Sequence, residues 1–200
     1  MSTERHFDPA GFANLLDPER AEWTRPAELL KTIGGKPGMV CADVGCGPGF
    51  FTLPIAATVA PGGRVFGTDD SQEMLDALAE RAAAEGLAET VVPHLADAAG
   101  TGLAEGSLDL VFCAFVYHEV ASTQDLIDEF LRILKPGGRM AIVDWRLGAP
   151  RPPGPPDDHR LTLERMLEPF QRRGLDVERP GFSDLFHVLL ARKPSAAPRG

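Results

Sequence analysis

Val40-Cys41-Ala42-Asp43-Val44-Gly45-Cys46-Gly47-Pro48-Gly49 is the stretch that decides the fold. A short apolar run ends in an acid and three alternating glycines, and a helical pattern follows from Phe50. The apolar run is typical of a buried strand. Glycines allow the backbone to turn tightly and to come close to a ligand. The stretch therefore predicts a strand, a turn and a helix, with either a ligand at the turn or a tight turn alone.

The same alternation continues along the chain. We predict strands at Met39–Val44, Arg64–Thr68, Thr90–Leu95, Leu108–Val116 and Arg139–Trp145, and helices at Phe50–Ala60, Gln72–Glu85 and Asp125–Leu134. Repeated strand–helix units predict a parallel sheet with right-handed crossovers, an α/β fold.

The two ends of the chain differ from this pattern. Residues 8–35 are predicted to be helical, and Lys135–Gly138 is predicted to be a turn. Ala149–Pro156 is rich in proline and is predicted to be an extended surface loop. Beyond a helix at Leu161–Arg173, we predict two antiparallel strands, Val177–Phe182 and Leu185–Arg192.

Composition limits the partners and the compartment. The formal charge of −9 leaves no basic excess to pair with phosphates, so neither nucleic acid nor an acidic membrane is expected as a partner. Residues 1–8 lack the apolar segment of a secretory signal, and no run approaches the roughly 20 apolar residues of a membrane span. The three cysteines form no CxxC pair, so we expect reduced thiols, no metal site and a cytoplasmic protein.

Three acids follow three successive predicted strands. Asp43 precedes the first glycine, where a carboxylate disfavours a pyrophosphate but suits a cation such as the sulfonium and ammonium of S-adenosylmethionine (SAM). Asp69 ends the second strand, where an acid can accept hydrogen bonds from ribose hydroxyls. Asp97, after the third strand, either accepts from an adenine amino group or caps a turn. The carboxyl ends of these strands should meet at one crevice.

Three segments together resemble class I (Rossmann-like) SAM-dependent methyltransferases. They are Val40–Phe50, Phe66–Leu75 and Leu131–Arg139. Within that class, the chain is most similar to the small ubiquinone/menaquinone-biosynthesis type, a methyltransferase type 11-like subgroup. The softer signals for this subgroup are Asp17–Arg20, Tyr117–Glu119, Val143–Trp145, Pro152–Pro156 and His159–Arg160.

The resemblance implies a Rossmann-like three-layer sandwich. Its seven-stranded sheet would be mostly parallel, with an antiparallel last strand and extra N-terminal helices. It also implies one domain, with a helical cap segment at residues 1–37, a SAM-binding methyltransferase domain at 38–193 and a frayed tail at 194–200.

The resemblance further implies a set of cofactor-binding residues. The methionine end would be lined by Asp43, Gly45, Gly47, Gly49 and Phe115, with Cys46 and Phe50 in the same turn. Asp69 would hold the ribose hydroxyls, Asp70 and Met74 would lie along the adenine, and Asp97 with Ala98 would recognise its amino group. S-adenosylhomocysteine (SAH) would be the product.

Methyl transfer from a sulfonium is a direct displacement that depends mainly on alignment. Where the acceptor must lose a proton, His118 is the candidate base, although a helix-start or cofactor-contact histidine is the alternative. The candidates for the acceptor pocket are Tyr117, His118, Asp144, Trp145 and His159. The acceptor itself is expected to be a small molecule, and the oligomeric state stays open, with a homodimer as one option.

Two other functions are weighed against methyl transfer. An NAD-dependent oxidoreductase would need the spacing G-x-G-x-x-G, whereas Gly45, Gly47 and Gly49 follow G-x-G-x-G after an acid. A module that binds SAM or SAH without turnover would carry the same cofactor residues, so the sequence does not separate it from an enzyme.

Overall fold

A seven-stranded sheet forms the centre of the computed structural model, which describes residues 15–150 and 154–195. Its strands are β1 (Val40–Val44), β2 (Arg64–Asp69), β3 (Val91–Leu95), β4 (Leu108–Ala114), β5 (Leu134–Trp145), β6 (Val177–Glu178) and β7 (Phe186–Arg192). They lie in the order β3-β2-β1-β4-β5-β7-β6. β1 to β5 pair in parallel, and β7 is antiparallel to both of its neighbours. The predicted α/β, Rossmann-like architecture is confirmed.

Helices cover both faces of the sheet. They are α1 (Pro18–Thr24), α2 (Pro26–Ile33), α3 (Thr52–Val59), α4 (Gln72–Ala84), α5 (Thr123–Ile133) and α6 (Leu163–Gln171). One buried cluster joins α2, α3 and α4 to the sheet through residues such as Leu30, Ile55 and Leu78. The second joins α5 and α6 through Phe130 and Phe170. The sheet and the helices on its two faces thus form three layers. None of the described helices is both long and apolar enough to cross a bilayer.

The site is placed by the neighbouring strands β1 and β4. The chain leaves β1 towards the face covered by α3 and leaves β4 towards the face covered by α5. A crevice opens where parallel strands send their connections in opposite directions, beyond the carboxyl ends of the strands. The glycine turn after β1 lies at that point.

The N-terminal segment differs from the single helical stretch predicted at 8–35. Asp17 caps α1 by accepting a hydrogen bond from the Glu19 amide. Arg25 then takes a left-handed backbone conformation, with φ of 46°, and separates α1 from α2. Residues 8–14 lie outside the described part of the chain.

Some strand boundaries also differ from the predictions. β4 ends at Ala114 rather than Val116, because Phe115 has φ of 61° and leaves the extended conformation. β5 begins at Leu134, the last residue of a predicted helix, and runs through the predicted turn Lys135–Gly138, since Leu134 pairs with Leu108 before a register shift.

The C-terminal hairpin is shorter than predicted. β6 ends at Glu178 instead of reaching Phe182, and Pro180 lacks the N–H that a longer ladder would need. In the Pro-rich loop, residues 151–153 lie outside the described part, as do residues 196–200 of the predicted tail. A 3-10 turn, Asp157–His159, follows that loop.

Candidate active site

The glycine turn after β1 is tied to the end of β2 by the backbone. The amides of Gly45 and Cys46 both donate to the Thr68 carbonyl oxygen, at 2.8 and 2.9 Å. Gly45 has φ of 70°, and a Cβ there would lie 2.4 Å from Cγ2 of Val116. Only glycine fits this close approach without strain. The turn is therefore held rigidly between the ends of β2 and β4.

Asp69, the last residue of β2, accepts hydrogen bonds from two backbone amides. Gly47 donates to its Oδ2 at 2.8 Å and Ser71 donates to its Oδ1 at 3.0 Å. Burial raises the pKa of Asp69, and these two hydrogen bonds oppose that rise. The carboxylate is thus fixed at the mouth of the turn.

Asp43, near the end of β1, is buried and faces the same turn. The Thr52 hydroxyl at the start of α3 donates to its Oδ2 at 2.6 Å. Burial raises the pKa of Asp43 to about 7, and the nearby charge of Asp69 adds to that rise. A cation placed beside Asp43 would favour its ionised form.

These groups open into one cavity of about 910 Å³. Its walls include the predicted cofactor residues Asp43, Gly45, Cys46, Gly47, Phe50, Asp69, Asp70, Met74, Asp97, Ala98 and Phe115. Carboxylates at the carboxyl ends of three successive strands thus meet at one cavity, as the topology requires.

Gly49, the remaining member of the predicted cofactor set, has a different position. It is not part of the cavity wall, and a Cβ there would lie 2.4 Å from Cδ1 of Leu78 on α4. Its φ of 87° also lies in the left-handed region. The third glycine therefore allows the turn to pack against α4.

Several cavity residues were not predicted from the sequence as ligand-binding residues. They are Leu15, Arg20, Phe51, Ser71, Val116, Glu119 and Asp125, among others. Leu15 and Arg20 precede the first strand, and no motif shows that this segment reaches the glycine turn. Glu119 belongs to the Tyr117–Glu119 segment after β4, and it lies on the cavity wall.

An aromatic cluster adjoins the cavity at the ends of β4, β5 and β7. The ring centroid of Phe115 lies 4.5 Å from Trp145, 5.6 Å from Phe186 and 5.7 Å from Trp23 on α1. Trp23 also lies 5.4 Å from Trp145. The left-handed backbone of Phe115 directs its ring into this cluster, so the cluster borders the predicted methionine end.

His118 and Asp144 form a hydrogen-bonded pair behind the cavity. Nδ1 of His118 lies 2.8 Å from Oδ1 of Asp144, and the His118 amide donates to Oδ2 at 2.8 Å. Burial lowers the pKa of His118, but the hydrogen bond to Asp144 and the charges of Asp144 and Glu119 together outweigh burial and raise the pKa. Nε2 of His118 lies 3.6 Å from Oε1 of Glu119, which lines the cavity.

The remaining acceptor-pocket candidates do not line the cavity wall. Tyr117 is fully buried in the second core cluster, where its hydroxyl donates to the Met166 carbonyl oxygen at 3.2 Å. Its place after β4 turns it towards α6, so it packs in the core. His159 is exposed in the 3-10 turn. Trp145 is buried in the aromatic cluster.

The three cysteines are buried free thiols. Burial raises the pKa of Cys41 to about 12 and raises that of Cys46 and Cys113 as well. Thiols with raised pKa values are poor nucleophiles.

Comparison with known proteins defines the class to which this fold and site belong. The family model of the methyltransferase domain matches residues 42–142, which contain the glycine turn and all three strand-end acids. The chain belongs to the methyltransferase domain family. The prediction of a class I, SAM-dependent methyltransferase is confirmed.

A solved structure covers nearly all of the chain. It is a SAM-dependent methyltransferase from Aquifex aeolicus, with a TM-score of 0.86 and 28% sequence identity. The match covers 93% of this chain and 98% of that one.

Curated relatives are similar over a shorter stretch. Nocamycin O-methyltransferase of Saccharothrix syringae is 33% identical over 147 residues, 68% of this chain and 52% of that protein. Demethylmenaquinone methyltransferase of Symbiobacterium thermophilum is 36% identical over 123 residues, 62% of this chain and 48% of that protein. The match thus spans about half the length of these relatives.

Proposed function

We propose that this domain transfers the methyl group of SAM to a small-molecule acceptor by in-line displacement, with SAH as the product. One observation carries the proposal: Asp43, Asp69 and Asp97 lie at the carboxyl ends of three successive strands and open, with the glycine turn, into one cavity. A buried anion of raised pKa beside a glycine turn suits a cationic nucleoside better than a dinucleotide pyrophosphate. The family match supports the same conclusion.

We assign the cofactor contacts by position in the cavity. Asp69, already held by the Gly47 and Ser71 amides, accepts from the ribose hydroxyls. The adenine lies among Asp70, Met74, Asp97 and Ala98, and the methionine arm lies beside Asp43, Gly45, Gly47 and Phe115. Cys46 and Phe50 complete the wall, while Gly49 supports the turn from behind.

The cofactor supplies a methyl group on a positively charged sulfur. The residues of the cavity would hold the acceptor atom, the methyl carbon and the sulfur in line, and such alignment is the main source of rate in a displacement of this kind. The aromatic cluster of Trp23, Phe115, Trp145 and Phe186 borders the proposed methionine end and presents an apolar surface there. We therefore place the acceptor at that cluster.

We propose His118 as the base where the acceptor must lose a proton. Its hydrogen bond to Asp144 fixes the ring, and its raised pKa strengthens it as a proton acceptor. Because its Nε2 lies next to Glu119 rather than on the cavity wall, we propose that the Glu119 carboxylate takes the proton from the acceptor and passes it to Nε2 of His118. Asp144 holds and orients the imidazole.

We further propose that the chain forms one domain with a helical cap segment and a tail. Residues 1–37 form the cap segment, 38–193 the SAM-binding domain and 194–200 a tail. The described part of the cap contributes Arg20 to the cavity and Trp23 to the aromatic cluster. The three free thiols are consistent with a reducing cytoplasmic setting.

The test is a calorimetric titration with SAM and SAH of the wild type, Asp69→Ala and the control Asp76→Ala. Asp76 is exposed on α4 and bonds only to Gln72 among the described residues. We expect wild-type and control affinities in the micromolar range and a loss of about 1–3 kcal/mol for Asp69→Ala. If folded wild-type protein bound neither ligand, the proposed function would be wrong.

A further inference from the structure

Arg20 lies over the aromatic rings at one end of the cavity. Its guanidinium carbon is 4.5 Å from the ring centroid of Phe50, 5.4 Å from that of Phe115 and 5.6 Å from that of Phe51. Aromatic faces attract a guanidinium at these distances. Three rings thus hold the charged group beside the glycine turn.

The guanidinium has donors that the described part of the chain does not use. Its Nη1 donates to the Leu15 carbonyl oxygen at 2.9 Å, and no described residue accepts from Nε or Nη2. No carboxylate of a described residue forms an ion pair with Arg20 within 4.0 Å. Burial lowers the pKa of Arg20 to about 10, which still leaves it charged at neutral pH.

The charges around the cavity single out Arg20. The acids on the described wall are Asp43, Asp69, Asp70, Asp97, Glu119 and Asp125. Among the described wall residues, Arg20 alone carries a positive charge. SAM and SAH each carry one anionic group, the α-carboxylate of the methionine arm. A carboxylate among these acids would need a cationic partner, and a guanidinium binds carboxylates through two parallel hydrogen bonds.

We propose that Arg20 binds the α-carboxylate of the cofactor and positions the methionine arm between the glycine turn and the aromatic cluster. This inference rests on the proposed function. It assigns a cofactor contact to α1, outside the matched family segment of residues 42–142. It also makes the site selective for adenosyl compounds that carry a carboxylate.

The test pairs two ligands with two protein variants. SAM and decarboxylated SAM share the adenine, ribose, sulfonium and amine, and they differ in the carboxylate alone. Wild type, Arg20→Gln and Arg25→Gln are titrated with both by calorimetry. Arg25 is the matched control, because it lies on the same segment over Phe182 and is not part of the cavity wall.

We expect Arg20→Gln to weaken SAM binding by about 10- to 100-fold, as for a lost charge-assisted hydrogen bond. Binding of decarboxylated SAM should change by less than about threefold, and Arg25→Gln should affect neither ligand. Arg20→Lys should restore part of the SAM affinity, because it keeps the charge without the planar fork.

Three outcomes would overturn the inference. Equal weakening of both ligands in Arg20→Gln would give Arg20 a merely structural role. Unchanged SAM affinity in that variant would show that the carboxylate is held elsewhere. If wild-type protein bound neither ligand, the proposed function itself would fail, and this result is distinct from the first two. Thermal unfolding of each variant shows whether a loss of ligand affinity comes from misfolding.

Discussion

The two ends of the site differ in their chemical groups. At the ends of β1 and β2, backbone amides meet backbone carbonyls and carboxylates, as in the contacts of Gly45 with Thr68 and of Gly47 with Asp69. At the ends of β4, β5 and β7, aromatic side chains such as Phe115 and Trp145 contact one another. The first end has fixed polar groups with directional bonds, and the second has apolar surface.

This difference separates two tasks. Binding a polar nucleoside needs donors and acceptors at fixed points, and backbone groups in a tight turn supply them at little cost in side-chain entropy. Enclosing an acceptor needs a shaped apolar wall, which different side chains can build without altering the turn. Changes at the two ends should therefore have different effects.

The largest expected effect is on catalysis at the second end. Replacing His118 by Ala should lower kcat by about 10²- to 10⁴-fold for an acceptor that must lose a proton, because the base is lost. Turnover is measured as the formation of SAH, with an acceptor identified by screening. The affinity for SAM should stay close to that of the wild type.

His159→Gln is the control for this prediction, since His159 is exposed in the 3-10 turn. Equal rates for His118→Ala and wild type would remove His118 from the mechanism.

Gly45→Ala should destabilise the glycine turn at the first end by a steric clash. The added Cβ would clash with Val116 and sit at φ of 70°, so we expect a loss of about 2–5 kcal/mol in the free energy of unfolding. Gly38→Ala is matched, because Gly38 has φ of 81° with no neighbour within 4 Å of an added Cβ. It should lose only about 1–2 kcal/mol. Urea unfolding measures both, and equal losses would mean that contact with Val116 is unimportant.

Binding of SAM should depend on pH through Asp43. Its pKa of about 7 leaves it largely neutral at pH 5.5 and ionised above pH 7, so affinity should rise roughly tenfold or less across this range. Calorimetry at both pH values should show the rise in wild type and a flatter response in Asp43→Asn. A wild-type affinity that fell with pH would contradict the assignment.

The raised pKa of Asp43 also determines how the stability of the ligand-free protein changes with pH. Because the folded-state pKa of Asp43 exceeds its ordinary value of 3.8, the folded state binds more protons between about pH 4 and 7. The contribution of Asp43 to the free energy of unfolding should therefore fall as pH rises through that window. Comparing wild type with Asp43→Asn by urea unfolding isolates this contribution.

The smallest effect is expected for Trp23→Leu. It removes ring contacts with Phe115, Trp145 and Phe186, which should cost about 1–2 kcal/mol of stability. Binding of SAH should hardly change, because the fixed polar groups of the first end remain. A large loss of SAH affinity measured by calorimetry would show that the two ends are not separate.

The sequence predicted the first end well and the second end poorly, for a physical reason. The acids Asp43 and Asp69 each follow an apolar run, so local pattern and parallel topology together place them at one cavity. Arg20 and Trp23 reach the site by long-range packing of α1, which no local pattern encodes. Tyr117 follows β4 closely and would be expected at the pocket, but one turn of chain directs it into the core.

Phe115 shows the same limit at the level of one residue. Its place at the carboxyl end of a strand was predicted, yet its left-handed backbone was not, because non-glycine residues seldom adopt it. Such a conformation costs of order 1–3 kcal/mol and persists only where its surroundings enforce it. Here it directs the ring towards Trp145 and Phe186.

Helix α1 connects the two ends of the site. Arg20 and Trp23 are three residues apart, so they lie on one face of the helix and reach the two ends of the site together. Any ligand that displaces α1 at one end changes the free energy at the other, and thermodynamic reciprocity makes this coupling equal in both directions. If the proposed cofactor and acceptor sites are right, a single turn of helix would couple binding of the methyl donor to binding of the methyl acceptor.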